Sequence, residues 1–189
     1  MKRLVLFVLA LGLGPTAALA QSIGLYGSFW KPKDDLSAYG YGTRILWPVA
    51  EPLAIELRAS SFLFEQRIAS VKRETEIIPL EAGLLLTRLV DDLTTWYAGG
   101  GAGYYLIDRT FREDRQTISA SVDDEFGGYL VTGLKLALSP SLSFVLEAKY
   151  TWVKAESIRF RFDQGGSETR SLSDSYDGLS VQLGFAYAW

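Results

Sequence analysis

The chain has no cysteine and no histidine. Without thiols it forms neither disulfides nor thiolate metal sites, and cysteine nucleophiles are excluded. Without imidazole it lacks the commonest general base and the commonest transition-metal ligand. Beyond the first twenty residues it also lacks any apolar run of about 20 residues, the length a helix needs to cross a bilayer. A spanning helix is excluded there; a spanning barrel, whose strands carry only alternate apolar residues, is not. Excess positive charge is missing too. The formal charge is −3, and it falls to −5 once Lys2 and Arg3 are set aside, which argues against a nucleic-acid partner.

Those two cations open the chain and set its compartment. Lys2-Arg3 precede the apolar run Leu4 to Leu13; Gly14-Pro15 breaks it, and Ala18-Leu19-Ala20 provides a small-x-small cleavage site. Residues 1–20 are thus expected to be a cleaved secretory signal peptide and 21–189 a single domain.

Within 21–189 the apolar residues recur with a period of two, in runs of about the 9 to 11 residues that a tilted membrane strand requires. Eight runs stand out: Ile23 to Trp30, Tyr39 to Trp47, a third beginning at Leu53, Glu76 to Leu86, Thr95 to Ile107, Phe126 to Leu138, Leu142 to Trp152, and Leu179 to Trp189. The seventh is the most regular. Leu142, Phe144, Leu146, Ala148, Tyr150 and Trp152 alternate with Ser143, Val145, Glu147, Lys149 and Thr151, a pattern no helix buries on one face. The fourth is the least regular, because Leu85 falls among its polar positions.

Connections alternate between short (Pro48 to Pro52, Thr87 to Thr94, Ser139 to Ser141) and long, charged ones (Lys31 to Ala38, Glu65 to Arg73, Asp108 to Glu125, Lys154 to Asp177), as periplasmic turns and external loops do. In the last loop Ile158, Phe160 and Phe162 continue the alternation with Arg159 and Arg161, so strands seven and eight are expected to project as a hairpin. Trp47, Trp96, Tyr187 and Trp189 at the short-turn end, with Trp30, Tyr39, Tyr104 and Trp152 at the other, are placed as two interfacial aromatic belts. Gly99-Gly100-Gly101-Ala102-Gly103 lacks the Lys-Ser/Thr of a phosphate loop and reads as curved barrel wall. Together these patterns predict an all-β, eight-stranded antiparallel up-and-down transmembrane barrel.

Charges on the opposite face of the strands point to the interior: Arg44, Glu56, Arg58, Glu81, Lys135, Glu147 and Lys149. Arg44 and Glu56, equidistant from the Pro48 to Pro52 turn, are expected to face each other, and Lys135 and Glu147 to be diagonal neighbours. An eight-stranded barrel is only about wide enough for side chains, whereas open pores need ~16 strands, so the set reads as a plug of ion pairs. Asp123-Asp124-Glu125 lacks the ligand spacing and glycine of a calcium loop. No catalytic, cofactor-binding or metal-ligating residue is assigned, and no cofactor is expected.

Val181, Leu183, Phe185, Tyr187 and Trp189 resemble the C-terminal assembly signal of outer-membrane proteins, alternate apolar positions ending on an aromatic. Trp96 to Tyr105, and Gly133 through Leu142 to Trp152 with Glu147 and Tyr150, are similar to strands of the small OmpA-like and OmpX-like barrels, here without a peptidoglycan-binding domain. The resemblance implies insertion in the bacterial outer membrane by its assembly machinery, with structural, adhesive or surface-protective roles in different relatives. The chain is expected to be monomeric and non-enzymatic, with a structural or surface-interaction role carried by the external loops. The expected partners are outer-membrane lipid and lipopolysaccharide, whose phosphates the loop cations could pair with. The alternatives are a narrow channel or hydrophobic-ligand conduit of the OmpW type and, more remotely, a lipid A-modifying enzyme; barrel enzymes of this size generally use a histidine, absent here.

Overall fold

The computed structural model describes residues 21–33, 37–68, 71–113, 116–122, 125–155, 158–161, 167–170 and 174–189. The expected signal peptide lies outside these residues. Twelve strands are present among them: β1 (Ser22–Pro32), β2 (Ala38–Ala50), β3 (Leu53–Ile68), β4 (Val71–Leu89), β5 (Thr94–Glu113), β6 (Gln116–Val122), β7 (Glu125–Ala137), β8 (Leu142–Ala155), β9 (Ile158–Arg161), β10 (Ser167–Arg170), β11 (Asp174–Ser175) and β12 (Gly178–Ala188).

Eight of them close a ring in the order β1-β2-β3-β4-β5-β7-β8-β12, each antiparallel to its neighbours. The seam is an unbroken ladder from Ser22↔Ala188 to Pro32↔Gly178. A closed ladder satisfies the backbone within the sheet and leaves no edge to meet hydrocarbon. The remaining strands extend the long-loop end. β6 folds back on the distal half of β5, β9 pairs with β6, and β10 pairs with β9.

Two expected loops are therefore strand. Of Glu65 to Arg73 only 69–70 fall outside β3 and β4, and β4 begins at Val71 rather than Glu76. Asp108 to Glu125 is largely a hairpin of β5 and β6, whose alternation of Thr117, Ser119 and Ser121 with Ile118, Ala120 and Val122 is hidden by charged flanks. The last loop does contain the expected hairpin, in which Ile158–Arg161 pairs antiparallel with Ser167–Arg170; what differs is its place, since it joins sideways onto β6, and among the described residues the far end of β8 pairs with the two-residue β11. Phe162 lies outside the described residues.

The period-two pattern resolves into two faces. Outward stand Leu25, Tyr39, Tyr41, Leu130, Leu183 and Phe185 with many other apolar side chains, Tyr39 at 78% exposure and Phe126 at 79%. Inward side chains are buried in three layers. Near the long-loop end Trp30, Phe62, Phe64, Ile77, Tyr105, Ile107, Val153 and Tyr176 form one apolar cluster; near the short turns Ala54, Leu85, Tyr97, Val131, Val145 and Ala186 belong to another. Between them lie the charges. Trp30 thus does not belong to the outer belt: it sits on the inward parity of β1, is 1% exposed, and packs edge-on against Phe62 and Phe64.

Candidate functional site

The middle layer is built by strand parity, which brings Arg44 from β2, Glu56 and Arg58 from β3, Glu81 from β4, and Glu147 and Lys149 from β8 to one level of the lumen. All six are buried. Arg58, with its side chain fully enclosed, is the hub. Its Nη1 donates to Glu147 Oε1 at 2.5 Å and to Gln182 Oε1 at 3.2 Å, and its Nη2 to Glu147 Oε2 at 2.6 Å and Glu56 Oε1 at 2.7 Å. Its Nε lies 2.7 Å from Glu56 Oε2, an ion-pair distance without hydrogen-bond alignment.

Arg44 adds a second cation, with Nη1 donating to Glu147 Oε2 at 2.9 Å and to the Tyr97 hydroxyl at 3.0 Å, while Tyr97 itself donates to Glu147 Oε2 at 2.8 Å. Two guanidinium groups therefore face two carboxylates. A separate pair sits across the lumen: Lys149 Nζ donates to both Glu81 oxygens at 2.8 and 2.7 Å, and the Tyr105 hydroxyl donates to Oε1 at 2.7 Å. Charges taken from water at this depth are tolerable only when paired and hydrogen-bonded, and these carboxylate oxygens are engaged by cations or phenols.

The register differs from expectation for the Arg44–Glu56 pair. Arg44 pairs across the ladder with Arg58, and Glu56 with Leu46. β2 runs to Ala50 and β3 begins at Leu53, so the turn is Glu51-Pro52 and lies beyond the centre assumed for Pro48 to Pro52; a register shift, Pro48↔Ala54 followed by Ala50↔Leu53, sets the final offset. Arg44 reaches Glu56 only obliquely, at 3.7 Å. Lys135 stands opposite Val145, which makes Glu147 its diagonal neighbour, but it is half-buried and has no ion pair among the described residues.

The tyrosines of this layer went unassigned in the sequence. The signal that marks them is an inward parity combined with a glycine on the adjoining strand. Tyr97 is directly opposite Gly133, where a Cβ would fall 2.5 Å from its ring carbon and hydroxyl; Tyr26 is opposite Gly42, where a Cβ would fall 2.6 Å from its own. Each ring lies flat over the gap its glycine leaves. Tyr97 thereby reaches Glu147, and Tyr26 reaches Ser60 Oγ at 2.7 Å. The rings also serve as cation platforms, Tyr97 beneath Arg44 and Tyr129 beneath both Arg58 and Lys149.

At the ends of the barrel, Val181, Leu183, Phe185, Tyr187 and Trp189 all lie on the outward side of the closing strand, exposed. Asp91, in the turn between β4 and β5, accepts hydrogen bonds from the amides of Leu93 and Thr94 at 2.9 and 2.8 Å. Those bonds, the Leu93 amide first, hold its carboxyl below the usual range.

Apolar wall, paired charges within and a sealed ladder define a small eight-stranded transmembrane β-barrel. Among solved structures the chain is similar to the outer membrane protein OprG from Pseudomonas aeruginosa, with 16% identity over 90% of this chain and 96% of that one, at a TM-score of 0.74. A major outer membrane protein from Thermus thermophilus shares 14% identity over 90% and 98%, at 0.66. Ail, the attachment invasion locus protein of Yersinia pestis, shares 16% over 90% and 97%, at 0.53. At such identities the fold is what is shared. No family model matches the chain, and no curated protein matches it.

Proposed function

We propose that this chain is a non-enzymatic integral protein of a bacterial outer membrane, exported with loss of residues 1–20, inserted by the assembly machinery and monomeric, with a structural or surface-interaction role carried by its long-loop end. The observation that carries the reading is the inversion of faces: large apolar side chains outward, paired charges inward, opposite to a soluble barrel. The outward Val181 to Trp189 series and the outer-membrane origin of the similar structures support the location. The layered lumen supports a closed plug rather than a conduit.

Membrane fractionation with heat-modifiable gel mobility tests this. The protein is expected in the outer-membrane fraction, migrating faster before boiling than after, and silent in planar bilayers. Recovery in the soluble periplasm without heat-modifiable mobility overturns the membrane assignment; discrete conductance steps replace the plug with a channel.

A further inference from the structure

Against the wall of β1 and β12 the lumen leaves a small cavity, with room for about one water molecule. Strand parity makes it. Gly24 of β1 and Gly184 of β12 both face inward there, and neither has a side chain to fill the space beside it. Arg44 from β2, Gln182 from β12 and Glu147 from β8 border the same space. Arg44 is 4% exposed and Gln182 3%, so both polar groups are cut off from bulk solvent. Because β1 runs between β2 and β12, an occupant of the cavity bridges the two neighbours of the first strand.

Two of the bordering side chains carry a donor that no protein atom accepts: Arg44 Nη2 and Gln182 Nε2. The Gln182 amide cannot turn over to relieve this, because its Oε1 takes the Arg58 Nη1 bond at 3.2 Å and exchanging O for N would set donor against donor. A buried donor left unpaired is costly, a charged one most of all, so the cavity calls for an acceptor. A water there also needs a place for its own hydrogens. Glu147 stands directly across the ladder from Gln182, and among the described residues its Oε1 receives only the Arg58 Nη1 bond, which leaves a lone pair. The same carboxylate disfavours a halide ion beside it. From this arrangement of two donors and one acceptor we infer that the lumen holds a single long-lived internal water, accepting from Arg44 Nη2 and Gln182 Nε2 and donating to Glu147. It ties β2 to β12 and β8 across the first strand. The inference goes beyond the proposed surface role and rests only on the closed ladder.

The test is water-to-protein cross-relaxation by NMR on the chain folded in phosphatidylcholine nanodiscs. The side-chain amide protons of Gln182 should show a water cross-peak with the sign of a dipolar contact rather than of proton exchange, and the backbone amide of Ile77, in the apolar layer, should show none. Gly24→Ala sets a methyl carbon at the edge of the cavity, 3.1 Å from Arg44 Cγ, and should abolish the cross-peak. Val181→Ala, on the outward side of β12, should leave it intact. Replacing chloride by gluconate at constant ionic strength should change neither the cross-peak nor the midpoint of urea unfolding. Absence of the dipolar cross-peak in the wild type, its survival at full intensity in folded Gly24→Ala, or a midpoint that rises with chloride overturns the inference, the last by putting an anion in the water's place. Heat-modifiable mobility, read on every sample, identifies a variant that has not folded, and the wild-type cross-peak and the chloride series then decide.

Discussion

Lys149 and Glu81 form the simplest test of how the lumen is held together, because their pair is separate from the Arg58 hub and both groups are buried. Removing one partner leaves the other charged and enclosed, so Glu81→Gln or Lys149→Met alone should each cost about 3–5 kcal/mol. The double variant should be closer to wild type than either single one, since no uncompensated charge remains. Urea unfolding of the protein folded in lipid vesicles, followed by tryptophan fluorescence, reads the three values; simple additivity would refute the pairing. The same reasoning makes Arg58 the least replaceable residue of the lumen, as its loss leaves Glu56 and Glu147 to share the single guanidinium of Arg44.

At the scale of elements, the turn between β4 and β5 carries a titratable latch. The Asp91 carboxyl is held below its ordinary value of 3.8, so its bonds to the Leu93 and Thr94 amides are present at neutral pH. They are lost as the pH falls through the lowered value. Amide protection factors at Leu93 and Thr94 should therefore drop in that acidic range, and Asp91→Ala should be low and independent of pH across it. Strands such as β8 and β12 were legible from alternation alone, because one face meets hydrocarbon and the other the lumen, and a period of two has no other use there. For Trp30 parity is a better guide than chemistry: a tryptophan near a strand end suits an interface, but as the ninth residue of β1 it shares the inward face with Ser22, Tyr26 and Ser28. The Arg44–Glu56 pairing failed because counting centred the turn on Ala50, whereas β2 runs to Ala50 and the turn is Glu51-Pro52; the register shift at Pro48/Ala50 then changes the offset by one residue and leaves Arg44 opposite Arg58. β6 was hidden because beyond the membrane neither face is uniformly apolar.

Across the whole molecule the lumen is stratified, and stratification predicts how it resists opening. If paired charge alone closed the barrel, E56A/R58A/E147A would create a water path. The cluster around Trp30, Phe62, Ile77 and Tyr105 spans the lumen independently, so that triple variant should remain silent in planar bilayers. Adding Phe62→Ala and Tyr105→Ala to it should produce discrete conductance steps, and steps in the charge-deleted variant alone would show that the apolar layer is no barrier. Stability and closure would then reside in different layers, the first in the ion pairs and the second in the aromatic packing.

The seam between β1 and β12 has a consequence in time. Ser22 is hydrogen-bonded alongside Ala188, so the first strand finds one of its two neighbours only when the last has been synthesised. Until then any partial sheet has two raw edges, and hydrocarbon solvates neither. Such a chain cannot enter the bilayer strand by strand as it is made: it must be kept unfolded in transit and close its ring late, in a concerted act.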